Sequence, residues 1–122
     1  MLLKEIKEIL NCTNYTDSNL LEKEINFCYA TDMMSDVLKS CKTGSLLITG
    51  LVNQQVIQVA EIMDLSGIVF VSGKKPSDEM IKSIEKKNIP LLSTDLHMYE
   101  ACGKLYQKGL KQEVAEHKNG NE

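Results

Sequence analysis

Short apolar runs alternate with amphipathic stretches along most of this chain. Four apolar or β-prone runs lie at residues 25–30, 46–48, 68–71 and 90–92. After each run, apolar residues recur at the three- and four-residue spacing of a helix that is buried on one side. These positions are Met33, Met34, Val37, Leu38 and Cys41; Val56, Val59, Ala60 and Met63; Met80, Ile81 and Ile84; and Met98, Ala101, Cys102 and Leu105. Strand and helix therefore alternate strictly from about residue 25.

This alternation predicts an α/β fold with a mainly parallel sheet of four to five strands covered by helices. Before it, Ile6, Ile9 and Leu10 favour a first helix, and the polar residues 11–24 leave room for one short strand. The 122 residues fit one domain. Because few apolar side chains follow residue 110, we expect a single domain over residues 1–110 and a polar, disordered tail over residues 111–122.

The charge balance removes one class of partner. The formal net charge is -3, and every basic side chain is a lysine, since the chain has no arginine. Neutralisation of phosphates supplies most nucleic-acid affinity, so neither DNA nor RNA is an expected partner. No stretch has the roughly 20 apolar residues that cross a bilayer, and the first residues lack a signal-peptide core. A cytoplasmic location without membrane contact is therefore expected.

Four cysteines are scattered along the chain without ligand spacing. They contain no Cys-x-x-Cys pair, and only two histidines, His97 and His117, accompany them; the cysteines are Cys12, Cys28, Cys41 and Cys102. This pattern favours buried thiols in a reducing compartment, with a zinc site as the remote alternative. No metal and no other cofactor is expected.

A hydroxyl residue paired with glycine or aspartate follows each apolar run. In a parallel sheet these pairs share one edge, where ligands bind and helix N-termini offer free amides. The same residue types are also preferred as helix N-caps and in tight turns, so capping alone is an open alternative. The residues predicted to bind a ligand at this edge are Thr49, Gly50, Asn53, Ser72, Gly73, Lys74, Thr94 and Asp95.

Catalytic motifs are absent from the sequence. Residues 67–76 approach a phosphate-binding P-loop, but Gly67 and Gly73 are one residue too far apart, and Lys75 replaces the hydroxyl residue that binds Mg²⁺. Neither Gly-x-Gly-x-x-Gly nor Gly-x-Ser-x-Gly occurs. Asp95, His97 and Cys102 do not share one helical face. The sequence therefore favours a non-catalytic protein, and no catalytic residue is assigned.

Five ordered blocks carry a family resemblance, at residues 29–38, 47–56, 68–74, 89–94 and 99–106. Over roughly residues 1–110 the chain resembles the small stand-alone DRTGG-domain proteins of anaerobic bacteria. The resemblance implies an α/β domain similar to the N-terminal, non-kinase domain of HPr kinase/phosphorylase. Related domains stand beside catalytic and CBS domains in some pyrophosphatases and phosphotransacetylases, where they look like regulatory or dimerising modules. The literal Asp-Arg-Thr-Gly-Gly string is missing here.

Three functions follow from these observations. The leading hypothesis is a non-catalytic regulatory module that binds a small polar or anionic metabolite, with a nucleotide as the first candidate, or that docks on a metabolic enzyme. One alternative is a phosphoryl-transfer or hydrolytic enzyme that uses the strand-end hydroxyls and Lys74. The other is an assembly subunit without a ligand. The resemblance and the small size of the core imply a homodimer; Tyr99 and Tyr106 are either interface residues or ordinary half-exposed aromatics.

Overall fold

The computed structural model describes residues 1–115. Five α-helices, one 3₁₀-helix and five strands follow one another along this part of the chain. The helices are α1 (Leu3–Leu10), the 3₁₀-helix (Ser18–Glu22), α2 (Met34–Ser40), α3 (Gln54–Ile62), α4 (Asp78–Ile84) and α5 (Met98–Gln107). The strands are β1 (Thr13–Asn14), β2 (Cys28–Ala30), β3 (Leu46–Thr49), β4 (Gly67–Phe70) and β5 (Leu91–Ser93).

The strands form one mixed sheet in the order β1-β5-β4-β3-β2. Strands β2 to β5 are parallel to one another, whereas β1 runs antiparallel to β5. The predicted α/β fold and its alternation of strands and helices are confirmed. The predicted parallel character holds for four strands. The first of the predicted strands begins three residues late, because the Ile25 N–H donates to the Met1 carbonyl and not to a neighbouring strand.

The antiparallel direction of β1 follows from where α1 ends. The buried Thr94 hydroxyl, just after β5, donates to the carbonyl of Leu10, the last residue of α1, over 2.6 Å. Asn11 then adopts a left-handed conformation (φ 52°) and ends the helix. The next strand therefore starts beside the carboxyl end of β5 and can only run back along it.

Two apolar layers cover the two faces of the sheet. Helices α2, α3 and α4 all pack on one face, where Ile68 and Phe70 point. Helices α1 and α5 pack on the other face, where Val69 and Val71 point. The alternation of side chains along β4 thus divides the core into two parts. None of the described helices is long and apolar enough to cross a membrane.

Residues 111–115 cover the outer edge of β2. The Cys28 N–H donates to the Lys111 carbonyl over 3.0 Å, and Gln112 forms an isolated parallel bridge with Cys28. Lys42 and Glu113 form a salt bridge at the surface. The disorder predicted from residue 111 is therefore wrong for residues 111–115, because the open edge of β2 supplies hydrogen bonds that the composition of this polar segment does not reveal. Residues 116–122 of that predicted tail lie outside the described residues.

Burial of the cysteines determines the pKa of their thiols. Cys12, Cys28 and Cys41 are buried, which confirms the prediction, whereas Cys102 is half-buried; all four thiols are free. Burial raises the pKa of Cys12 and of Cys28 to about 12, because the thiolate loses hydration. These thiols therefore stay protonated in the folded protein at pH values where an exposed thiol ionises.

The two most strongly shifted thiols predict a loss of stability at alkaline pH. Their folded-state pKa lies above the unfolded value, so their contribution is complete below about pH 8.5 and is lost towards pH 12. Within that window the free energy of unfolding should fall by about 1.4 kcal/mol per pH unit for each thiol. Urea unfolding at several pH values measures this slope. The Cys12→Ala/Cys28→Ala variant should show a shallower slope; an equal slope in both proteins would contradict the assignment.

Candidate functional site

The carboxyl edge of the sheet contains one place where neighbouring loops diverge. The loop after β4 leads to α4 on one face, and the loop after β5 leads to α5 on the other face. In open α/β sheets, ligand-binding crevices form where two adjacent loops leave in opposite directions. The order of the parallel strands gives no second such place, because α2, α3 and α4 all pack on the same face. The candidate site therefore lies between the ends of β4 and β5.

Hydrogen bonds join the two loops across this crevice. The Ser72 N–H donates to the Leu96 carbonyl over 2.7 Å, and the Gly73 N–H donates to the Thr94 carbonyl over 3.0 Å. The Ser72 hydroxyl lies 2.9 Å from His97 Nδ1. Ser72 has a φ of 61°, a conformation that residues other than glycine rarely adopt. The loops are thus held together at their base, and a ligand would contact the outer rim of the crevice.

A second polar cluster lies at the ends of β2 and β3. One carboxylate oxygen of Asp32, Oδ1, accepts hydrogen bonds from the Gly50 N–H (2.7 Å) and from the Thr49 hydroxyl (3.1 Å). A Cβ atom added at Gly50 would lie 3.5 Å from the same oxygen and 3.8 Å from Val71. Asp32 therefore occupies the position at which an anion would otherwise bind the Gly50 amide.

The hydroxyls of the three threonines at strand ends form structural hydrogen bonds with the backbone. The Thr31 hydroxyl accepts from the Met33 N–H, and the Thr49 hydroxyl accepts from the Leu51 N–H, both over 3.1 Å. The Thr94 hydroxyl accepts from the Leu96 N–H in addition to its bond with α1. Because Thr49 and Thr94 are also buried, their hydroxyls are not available to a ligand.

The remaining predicted residues divide into two groups. Asn53 caps α3, since its side chain accepts from the Val56 N–H over 3.2 Å. Gly73, Lys74 and Asp95 are exposed at the β4–β5 crevice, where a Cβ atom at Gly73 would lie 3.5 Å from the Asp95 carboxylate. The structure thus brings together Ser72, Gly73, Lys74, Thr94 and Asp95, and leaves Thr49, Gly50 and Asn53 around the neighbouring strand.

Two residues at this edge escaped the sequence-based site. Asp32 is not among the predicted ligand-binding residues, although it organises the end of β3. His97 is not among them either; its exposed ring contacts the Ser72 hydroxyl, and it occupies the N-cap position of α5, which has no side-chain cap. Neither contact leaves a signal in the sequence, because each joins residues that belong to different strand–helix units.

The larger concavities of residues 1–115 lie away from this edge. A shallow one of about 870 Å³ follows the outer face of α5, between Tyr99 and Gln107. Another of about 570 Å³ lies beside the 3₁₀-helix, between Tyr15 and Asn88. The β5–α5 loop lines a hollow of only about 220 Å³, formed with the end of α1 and with Lys104. A volume of this size suits a small group better than a whole cofactor.

These features define a small α/β domain whose polar edge is built largely from structural hydrogen bonds. Within residues 1–115, no group of three or more His, Cys, Asp or Glu side chains is placed to hold a metal ion. The chain belongs to the DRTGG domain family, whose model matches residues 5–107. Comparison with curated proteins found no significant match.

A solved structure shares the fold. The crystal structure of the CBS and DRTGG domains of the regulatory region of Clostridium perfringens pyrophosphatase, complexed with the activator diadenosine tetraphosphate, aligns with a TM-score of 0.69 at 18% sequence identity. The alignment covers 87% of this chain and 46% of that one, so this chain spans about half of the length of that regulatory region.

The Thr94 hydroxyl after β5 should contribute more to the free energy of unfolding than the Ser72 hydroxyl after β4. Thr94→Val leaves the Leu10 carbonyl buried without its donor, so the free energy of unfolding should fall by about 1–3 kcal/mol. Ser72→Ala removes a half-exposed hydroxyl and should change it by less than about 0.5 kcal/mol. Urea unfolding of the two variants checks both values. Equal losses in the two variants would contradict the division into structural and available hydroxyls.

Proposed function

We propose that this chain is a non-catalytic regulatory module that binds a small polar or anionic metabolite at the β4–β5 crevice. The observation that carries the proposal is the divergence of the β4 and β5 loops to opposite faces of the sheet. Membership of the DRTGG domain family supports a regulatory role, because the pyrophosphatase region with the same fold is regulatory and was solved with an activator.

The chemistry of the crevice favours a ligand with one anionic group. Lys74 is the cation among the proposed residues, and the uncapped N-terminus of α5 presents backbone N–H groups with a partial positive charge. Asp95 and Asp32 at the same edge repel a highly charged ligand. The proposed ligand-binding residues are Thr49, Gly50, Asn53, Ser72, Gly73, Lys74, Thr94 and Asp95, of which Ser72, Gly73, Lys74 and Asp95 make the direct contacts and the others shape the edge.

A nucleotide is the first ligand to test, by analogy with the activator of the pyrophosphatase region. A regulatory module also needs a target, so we propose that the chain forms a homodimer and acts on a metabolic enzyme in the cytoplasm. The likeness to the non-kinase domain of HPr kinase/phosphorylase and the domain limits at residues 1–110 stay predictions.

Binding at the crevice should perturb a defined set of amides. Titration of ¹⁵N-labelled protein with AMP should shift the resonances of Ser72, Gly73, Lys74 and Asp95, and the more highly charged ADP, ATP and diadenosine tetraphosphate should bind there more weakly. Lys74→Ala should weaken binding by about tenfold or more, because a charge-assisted contact contributes about 1.5–3 kcal/mol. Lys39→Ala, in the last turn of α2, is the matched control and should leave binding unchanged.

The same titration separates this site from the alternatives. Shifts confined to the region around Tyr15 and Asn88 would place the ligand in the hollow beside the 3₁₀-helix instead. Equal losses of affinity in Lys74→Ala and Lys39→Ala would indicate non-specific attraction. The absence of shifts with every nucleotide would contradict the nucleotide proposal and favour an assembly subunit.

One contact favours the enzymatic alternative. The Ser72 hydroxyl lies 2.9 Å from His97 Nδ1, and this is the distance at which a base activates a nucleophile. The described residues supply no hydrogen bond to the second nitrogen of His97, so nothing orients the imidazole as a third catalytic residue would. Ser72 and His97 therefore contact each other without the support that a catalytic pair requires.

We accordingly expect no turnover. Purified protein should neither release phosphate from ATP with Mg²⁺ nor hydrolyse an activated ester above the rate of the Ser72→Ala variant. Phosphate release and nitrophenol absorbance measure the two reactions. A rate near 1 per second, within the ordinary range of enzymes, that disappears in Ser72→Ala would establish the enzymatic alternative.

A further inference from the structure

The outer face of α5 exposes an unusual amount of aromatic surface. Tyr99 is 93% exposed and Tyr106 is 61% exposed, and both line the shallow concavity of about 870 Å³. Gly103 lies between them at helical spacing, and a Cβ atom there would have no neighbour within 4 Å. Two large aromatic side chains with a gap between them therefore lie on the same exposed side of one helix, with the Lys111 ammonium 4.9 Å from the centre of the Tyr106 ring.

An acidic and a basic side chain beside this aromatic face are placed so that each would meet the opposite charge of a second copy of the helix. Glu100 lies in the first turn of α5 and Lys104 in the last, and both are exposed on the same flank of the helix. Neither forms a salt bridge with another described residue. When two copies of such a helix meet in antiparallel orientation around a twofold axis, the acid of each copy faces the base of the other.

We infer that the outer face of α5 is the interface of a homodimer, with the two α5 helices packed antiparallel. A twofold axis between Cys102 and Gly103 places Tyr99 opposite the partner's Tyr106, and Glu100 beside the partner's Lys104. Gly103 lies next to the axis and lets the two backbones approach closely, so that the Tyr99–Tyr106 pair at each end of the interface can pack ring against ring. Aromatic, small and charged positions are all complementary under this one symmetry operation.

The size of the face predicts the strength of the dimer. Helix α5 has 10 residues and is therefore about 15 Å long. A pair of helices of this length buries less than the roughly 1,200 Å² at the lower limit of stable complexes. We therefore expect a reversible dimer that dissociates in the micromolar range. This inference specifies the partner surface of the proposed homodimer and does not depend on the ligand site, so association and ligand binding are measured separately.

Charge reversal tests the interface. Glu100→Lys and Lys104→Glu should each weaken the dimer by about tenfold or more, because each reversal creates two repulsive pairs per dimer. A mixture of the two variants should form a heterodimer, in which every pair is attractive again. Sedimentation equilibrium from micromolar to submillimolar concentration measures the three dissociation constants. Lys82→Glu, on the exposed surface of α4, is the matched control and should dimerise like the unaltered protein.

A second variant tests the aromatic contact. Tyr99→Ala removes an exposed ring, so circular dichroism should show an unchanged fold while the dimer weakens by about tenfold or more. A monomer at every concentration would overturn the inference. A dimer unaffected by Tyr99→Ala, or charge variants that fail to restore each other in the mixture, would place the interface on another surface.

Discussion

The packing of three successive crossover helices on one face of the sheet governs the rest of this structure. Helices α2, α3 and α4 each connect neighbouring parallel strands and all cover the same face. Of the described helices, α1 and α5 cover the opposite face. Because α5 must cross to that face directly after β5, the chain diverges between β4 and β5, and the β4–β5 crevice arises there. Its hydrogen-bonded base and the exposed outer face of α5 are consequences of the same crossing.

The polar edge shows how one set of residues divides between folding and binding. Threonine hydroxyls that follow a strand accept hydrogen bonds from the backbone two residues later, and this local geometry favours turns over ligands. Asp32 similarly fills the position above the Gly50 amide. What remains for a ligand is the rim formed by Ser72, Lys74 and Asp95. Capping therefore explains the threonine hydroxyls, whereas ligand binding stays a proposal for Ser72, Lys74 and Asp95.

Periodicity predicted the helices and the parallel strands because these elements depend on local burial. The residues that alternate along β4, and those spaced by three and four along α3, are determined by the face that each element buries. The direction of β1 was not predictable, because it depends on the bond between Thr94 and the Leu10 carbonyl, 84 positions apart in the chain. The contact between residues 111–115 and β2 was missed for the same reason: a polar segment can pair with a distant open edge.

The sequence by itself determined the α/β alternation, the buried cysteines at positions 12, 28 and 41, and the set of small and polar residues that follow the strands. These properties are local, since each follows from spacing within one strand–helix unit. Only the tertiary structure decided which strand ends become neighbours, which hydroxyls are already bonded, and that Ser72 meets His97. Those outcomes require contacts between units that are distant in the chain, and the order of the strands in the sheet creates them.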